Sequence, residues 1–182
     1  MKCQWVCSTC QNGVSSTSVQ ELIQQEDGGT EMNVINLYPT VRYQIFDGFG
    51  GALTEAAAYT WAQMPEEKQD EILESYFGPS GIGYRFARMA IDSCDFSLGH
   101  YAAVEDSADT ELKSFSLKRD EQYILPFLRA AEKKLGQKIP ILFSPWSPPG
   151  FMKTNGERDH GGKLKPECRE LWAEYLCRNL NE

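Results

Sequence analysis

Glu55, Asp92 and Asp95 stand in turn-rich stretches that follow apolar runs, Glu55 in FGGALTE and the two aspartates in DSCDFS. Two carboxylates on neighbouring loops are the least that general acid–base chemistry requires, one to give a proton and one to accept it. Glu55 and Asp95 are the local pair the sequence offers. A third stretch, SPWSPPGF, directly follows the apolar run KIPILF and holds Trp146 among Pro145, Pro148 and Pro149. An aromatic ring in so stiff a turn serves either as a core side chain or as a flat binding face. A turn or cap role competes for both aspartates, and Asp92 is assigned to it. His100 and His160 have no second ligand at helical or hairpin spacing, so no metal site is expected.

These stretches need a frame. YFGPSGIGYRFARMAI predicts a helix end followed by a strand over about Gly83 to Ile91, and KIPILF a buried strand from Ile139 to Phe143. A first strand near Phe49 to Ala52 leads through glycines into a helix with Thr54 as N-cap. The next helix starts at Pro65 and carries Ile72, Leu73, Tyr76 and Phe77 at helical spacing. Ile124, Phe127, Leu128, Ala131 and Leu135 form one stripe of a helix from Leu117 to Leu135, bent by Pro126 and stopped by Gly136. KPECRELWAEYLCRNL predicts a third amphipathic helix with Leu171, Trp172, Tyr175, Leu176 and Leu180 inward. Strand and helix alternate, the grammar of an α/β fold with a parallel sheet and right-handed crossovers. A doubly wound sheet and a (β/α)8 barrel both obey it. No G-x-G-x-x-G opens a helix with an acidic partner downstream, which leaves a dinucleotide fold little support. The three chemistry-bearing stretches are all strand-to-helix loops, the place where barrel enzymes keep their chemistry.

DGFGGALTEAAA, RMAIDSCDFSLG and SPWSPPGFMKTNG, with the linking YFGPSGIGY and GGKLKPE, resemble glycoside hydrolase family 30, the family of glucosylceramidases, β-glucosidases, β-xylosidases and β-1,6-glucanases. The resemblance runs from about Gln44 to the last residue. It implies a TIM-barrel catalytic domain over residues 44–182, truncated before its fourth strand, and a segment 1–43 that gives strands to a β-rich side domain. It also implies retaining hydrolysis of β-glycosidic bonds, a carbohydrate or glycoside substrate, and no cofactor. Asp95 and Trp146 match family residues that bind the sugar, and Arg88 matches an arginine beneath the catalytic floor that keeps a carboxylate ionised or serves as a paired interior charge. Sugars suit a tryptophan, whose ring covers their C–H patches while its N–H meets a hydroxyl. Departures fall at Glu55, where aspartate is frequent, at Ala90, where proline is common, and at Phe151, where tryptophan is.

Neither catalytic glutamate of the family has a match. The first follows the fourth barrel strand in an Asn-Glu-Pro motif, the second the seventh strand. Asn181 and Glu182 close a helix that still follows the third strand, so Glu182 is not taken as the acid/base. A whole barrel needs about 250 residues. The sequence therefore reads as the N-terminal part of a longer enzyme, with the remainder of the same polypeptide as its first partner. A non-catalytic carbohydrate-binding remnant is the alternative.

Composition sets the outer limits. The 182 residues are 41% hydrophobic, enough for one core, and 18 basic residues against 26 acidic give a net charge of -8. That balance argues against nucleic acid as a partner. No window approaches a membrane span or a secretory leader, and the expected location is cytoplasmic, with secretion the alternative where a leader precedes the given N-terminus. Cys3, Cys7 and Cys10 have a spacing similar to the cluster motif of radical S-adenosylmethionine enzymes. Such a loop belongs after a barrel strand, and only two residues precede Cys3. The motif is read as an N-terminal strand with incidental thiols, and Cys94, Cys168 and Cys177 as free thiols.

Overall fold

Asn12 and Gly13 turn the chain back on itself with φ of 52° and 76°, the left-handed geometry of a two-residue hairpin. They join strands β1 (Cys3–Gln11) and β2 (Val14–Leu22), which pair antiparallel with Val6 opposite Val19. The computed structural model describes residues 3–26, 28–29 and 32–181, in two units, Met1–Gln44 and Ile45–Glu182. Residues 11–30 read from sequence as loop or short helix. The Asn-Gly turn and the alternating valine, serine and threonine positions make Val14–Leu22 a strand instead. Cys3 and Cys7 share one face of β1 and Cys10 lies on the other, so the three thiols do not converge as a cluster requires. MNVINLYPTVRYQIF reads from sequence as two short strands broken at Pro39, but that segment is irregular. Tyr38 accepts the Val41 N–H across a turn, and the side chains of Val34, Ile35, Leu37 and Tyr43 stay exposed, so no ladder gains a packed face.

The second unit is built on three parallel strands in the order β3 (Gly50–Leu53), β4 (Phe86–Ile91), β5 (Ile141–Pro145). The register sets Ala52 beside Arg88 and Arg88 beside Leu142. Between β3 and β4 run helices α1 (Glu55–Ala62) and α2 (Glu66–Phe77). Thr54 caps α1, its hydroxyl accepting the Ala57 N–H at 3.2 Å. Helix α2 begins one residue later than read, with Pro65 as its N-cap. The expected single helix before β5 is two, α3 (Lys118–Gln122) and α4 (Ile124–Leu135), parted at Tyr123. A proline ring strikes the carbonyl four residues back, and for Pro126 that is Gln122, so the helix breaks there rather than bending at the proline.

Alternation along the strands sorts their side chains. Leu53, Ala87, Met89, Ile141 and Phe143 pack against Ala58, Leu73, Phe77, Phe127, Leu128 and Ala131 of the helices. Full burial of each large side chain contributes about 1.5–3 kcal/mol. The other face of the sheet is open: Phe86 is 42% and Leu142 64% exposed. A second core lies under the loops beyond the strand ends. There Ile91, Val104, Leu112, Phe115 and Met152 surround Tyr175 of helix α5 (Arg169–Asn181). Leu180, expected inward on α5, is exposed. It falls in the last turn of the helix, past the positions that reach this core.

Candidate functional site

Both long loops leave the C-terminal ends of the parallel strands. The first starts at Asp92, whose φ of 63° is uncommon outside glycine but tolerated by aspartate. It continues in a tight turn, with Ser97 N–H donating to the Cys94 carbonyl at 3.1 Å and Cys94 N–H to the Ser97 hydroxyl at 3.1 Å. Asp95 is held in that turn and stays exposed. The second loop carries Trp146 and then a closed excursion, pinned at its base by Thr154 N–H to the Lys163 carbonyl at 2.9 Å and Lys165 N–H to Met152 at 2.8 Å. Near its tip are Arg158, Asp159 and His160.

Asp95 and Trp146 line one cleft of about 400 Å³, with Ser93, His100, Arg158 and Asp159. Trp146 is 44% exposed, so it is not a core side chain. Arg88, on the open face of β4, donates to the Ser144 hydroxyl at 3.0 Å and sets its guanidinium 4.4 Å from the centre of the Trp146 ring. That distance is within cation–π range. The pairing of β4 with β5 thus brings Arg88 to Trp146, from separate parts of the sequence.

Glu55 does not join them as a proton donor or acceptor. It is 1% exposed. One carboxylate oxygen is paired with the Arg119 guanidinium, and the other accepts the Leu98 N–H at 2.8 Å. With Ala56 N–H donating to the Phe96 carbonyl at 3.0 Å, the start of α1 is fastened to the loop that holds Asp95. Glu55, which the sequence offers as a local partner for Asp95 and to which the family resemblance gives no catalytic job, is a buried tether. Glu182 lies outside the described residues.

Asp92, read as a turn residue, is the hub of a buried network. Its Oδ1 accepts the Tyr175 hydroxyl at 2.6 Å and the Ala103 N–H at 3.0 Å, and its Oδ2 accepts Arg158 at 3.1 Å. Burial pushes its carboxyl above the usual value, opposed by these donors, and burial together with the Asp92 charge raises the Tyr175 phenol. A neighbouring pair joins Tyr101 to Asp120, hydroxyl to carboxylate at 2.9 Å, and burial lifts Asp120 to about 6. The histidines do find carboxylates, through the folding of the excursion. His160 Nδ1 lies 3.0 Å from Asp159 and 3.2 Å from Glu157, and His100 Nε2 lies 3.7 Å from Asp159. All four are exposed, and of them His100 and Asp159 line the cleft.

A parallel sheet with helices on one face and a cleft of aromatic and carboxylate groups at its strand ends is an α/β arrangement. The glycosyl hydrolase family 30 TIM-barrel domain matches residues 46–182. The chain belongs to that family. It is 34% identical over 164 residues to the lysosomal acid glucosylceramidase of Mus musculus, covering 87% of this chain and 32% of the relative. Among solved structures it is similar to SrfJ from Salmonella typhimurium, with a TM-score of 0.82, 38% identity and coverage of 99% of this chain and 40% of that one. The endo-beta1,6-glucanase BT3312 aligns with a TM-score of 0.67 and 28% identity, covering 78% of this chain and 32% of that one. The chain thus spans about a third of the length of the glucosylceramidase and the glucanase.

Proposed function

We propose that this chain is the first part of a retaining β-glycoside hydrolase, in which residues 44–182 supply the first three strand-and-helix units of the barrel and residues 1–43 belong to a β-rich side domain. In this reading Asp95 and Trp146 bind the sugar, Arg88 supports the tryptophan from beneath, and both catalytic glutamates are carried by polypeptide beyond residue 182. The observation that carries the reading is the single cleft in which Asp95 and Trp146 meet at the C-terminal ends of parallel strands. A carboxylate gripping two hydroxyls and a flat ring covering C–H groups are complementary demands that a pyranose satisfies. The substrate is a β-glucoside, glucosylceramide or a β-linked glucan, as the names of its relatives suggest. Six cysteines without a disulfide favour a reducing, cytoplasmic setting. No helix among the described residues is long and apolar enough to cross a membrane.

The test is hydrolysis of an aryl β-glucoside, an aryl β-xyloside and a β-1,6-glucan by the full-length gene product, with the anomer of the first product read by NMR. Retention requires two carboxyl groups about 5–5.5 Å apart. A product of inverted configuration, or a complete open reading frame without an Asn-Glu segment after a fourth strand, would overturn the reading.

A further inference from the structure

Arg158 has no role in the sugar-binding reading, yet it joins the two walls of the cleft. It sits in the excursion that follows Trp146, and one guanidinium nitrogen donates to Asp92 at 3.1 Å while the other donates to the Ser93 carbonyl at 3.1 Å. Ser93 is two residues before Asp95. The side chain is 10% exposed and that of Asp92 2%. The backbone of Arg158 is held as well, its carbonyl accepting the buried Lys153 ammonium at 2.8 Å.

A buried ion pair of this kind is a weak stabilising device, because desolvation of the two charges offsets much of their attraction. Here the pair also leaves the Arg158 Nε–H buried without a partner. What the arrangement does supply is geometry. Two parallel N–H donors from one planar group fix both the distance and the direction of what they bind. Both acceptors belong to the loop that carries Asp95, and the donor belongs to the loop that carries Trp146. On the far side of Asp92, Tyr175 and Ala103 anchor the hub to the second core.

We propose that Arg158 is a positioning residue, whose bridge to Asp92 and Ser93 sets the separation of Asp95 from Trp146 and through it the affinity for sugar. The proposal rests on the assignment of Asp95 and Trp146 as the sugar-binding pair. Lysine in its place keeps the charge but reaches only one acceptor at a time.

The experiment uses the full-length gene product in five forms: wild type, the single variants Arg158→Lys and Arg158→Met, the Trp146→Ala background, and Trp146→Ala combined with Arg158→Met. Turnover of an aryl β-glucoside and amide hydrogen exchange are read on each. Both single variants are expected to lose about 10-fold or more in kcat/KM and to exchange faster over residues 93–99, with strands β4 and β5 unchanged. In the Trp146→Ala background the added loss from Arg158→Met should shrink to about 2-fold, because residues acting through one another are not additive. An undiminished loss in that background, or unchanged exchange over 93–99, overturns the proposal. A wild type without turnover removes the sugar assignment itself. Exchange then decides the bridge alone, faster at 93–99 in Arg158→Met if it exists and unchanged if it does not. Should Arg158→Met fail to fold, Arg158→Lys, alone and in the Trp146→Ala background, carries the same comparisons.

Discussion

In the proposed reading Trp146 and Asp95 make separable demands on a sugar, and single substitutions tell them apart. Trp146→Ala removes a ring that Arg88 supports at 4.4 Å, and the expected loss is about 1–3 kcal/mol in kcat/KM for the full-length product. Asp95→Asn should harm the sugar whose hydroxyls it grips more than a deoxy analogue. Equal losses for the two sugars in steady-state kinetics would make Asp95 a structural residue. Asp120 gives a prediction that needs no substrate. Burial raises its carboxyl to about 6 from an ordinary 3.8, with Tyr101 as its hydrogen-bond partner and the Asp92 and Glu55 charges also raising it. The folded state therefore holds this proton more tightly than the unfolded state. Its contribution is fully present below about pH 4 and is lost as pH rises towards 6. Asparagine carries no such charge, so Asp120→Asn should gain in Tm relative to wild type as pH is raised from 4 to 7. A Tm difference that stays flat with pH excludes the buried carboxylate as the cause.

At the scale of elements, the parallel pairing of β3 and β4 depends on Gly50. A Cβ built there comes within 2.1 Å of the Phe86 carbonyl oxygen, a backbone atom that cannot swing aside. Gly50→Ala should destabilise the unit by about 1–3 kcal/mol, measured by denaturant unfolding, whereas Gly136→Ala should act through its φ of 77° alone, with nothing within 4 Å of the new methyl. The strands, helices and loops of this unit were legible because apolar runs and the 3.6-residue stripe of Ile124, Phe127, Leu128 and Ala131 record burial directly. The cleft was legible only as loop chemistry: Asp95 and Trp146 could be singled out, but not their meeting. Asp92, Arg158 and Tyr175 were missed as a group, because three polar residues on separate loops and a helix have no common period. The hairpin was missed despite a local mark, Asn12-Gly13. The strands expected around Pro39 failed for the opposite reason, since apolar residues alone do not make a ladder without a partner surface.

The second unit as a whole presents two unlike sides. Helices and a continuous core cover one face of the sheet, while Phe86 and Leu142 lie exposed on the other, beside Arg88. Strands β3 and β5 are both sheet edges with unpaired backbone groups, the condition in which strands seek further pairing. In the proposed reading a barrel that continued past β5 would cover that face, close those edges and bring in the catalytic carboxyl groups. The last prediction follows: the 182-residue chain alone turns over neither an aryl β-glucoside nor an aryl β-xyloside above background. Cleavage needs one carboxyl to protonate the leaving oxygen and another to attack the anomeric carbon, each free to touch the sugar. Glu55 is shut away with Arg119 and the Leu98 amide, and Asp95, exposed in the cleft, has no second carboxylate assigned to chemistry. The measurement is release of the aryl group by the purified chain beside the full-length product. Activity that survives repurification and vanishes in Glu55→Gln would overturn the placement of the catalytic pair beyond residue 182. Activity unaffected by Glu55→Gln but lost in Asp95→Asn would move the chemistry into the cleft itself.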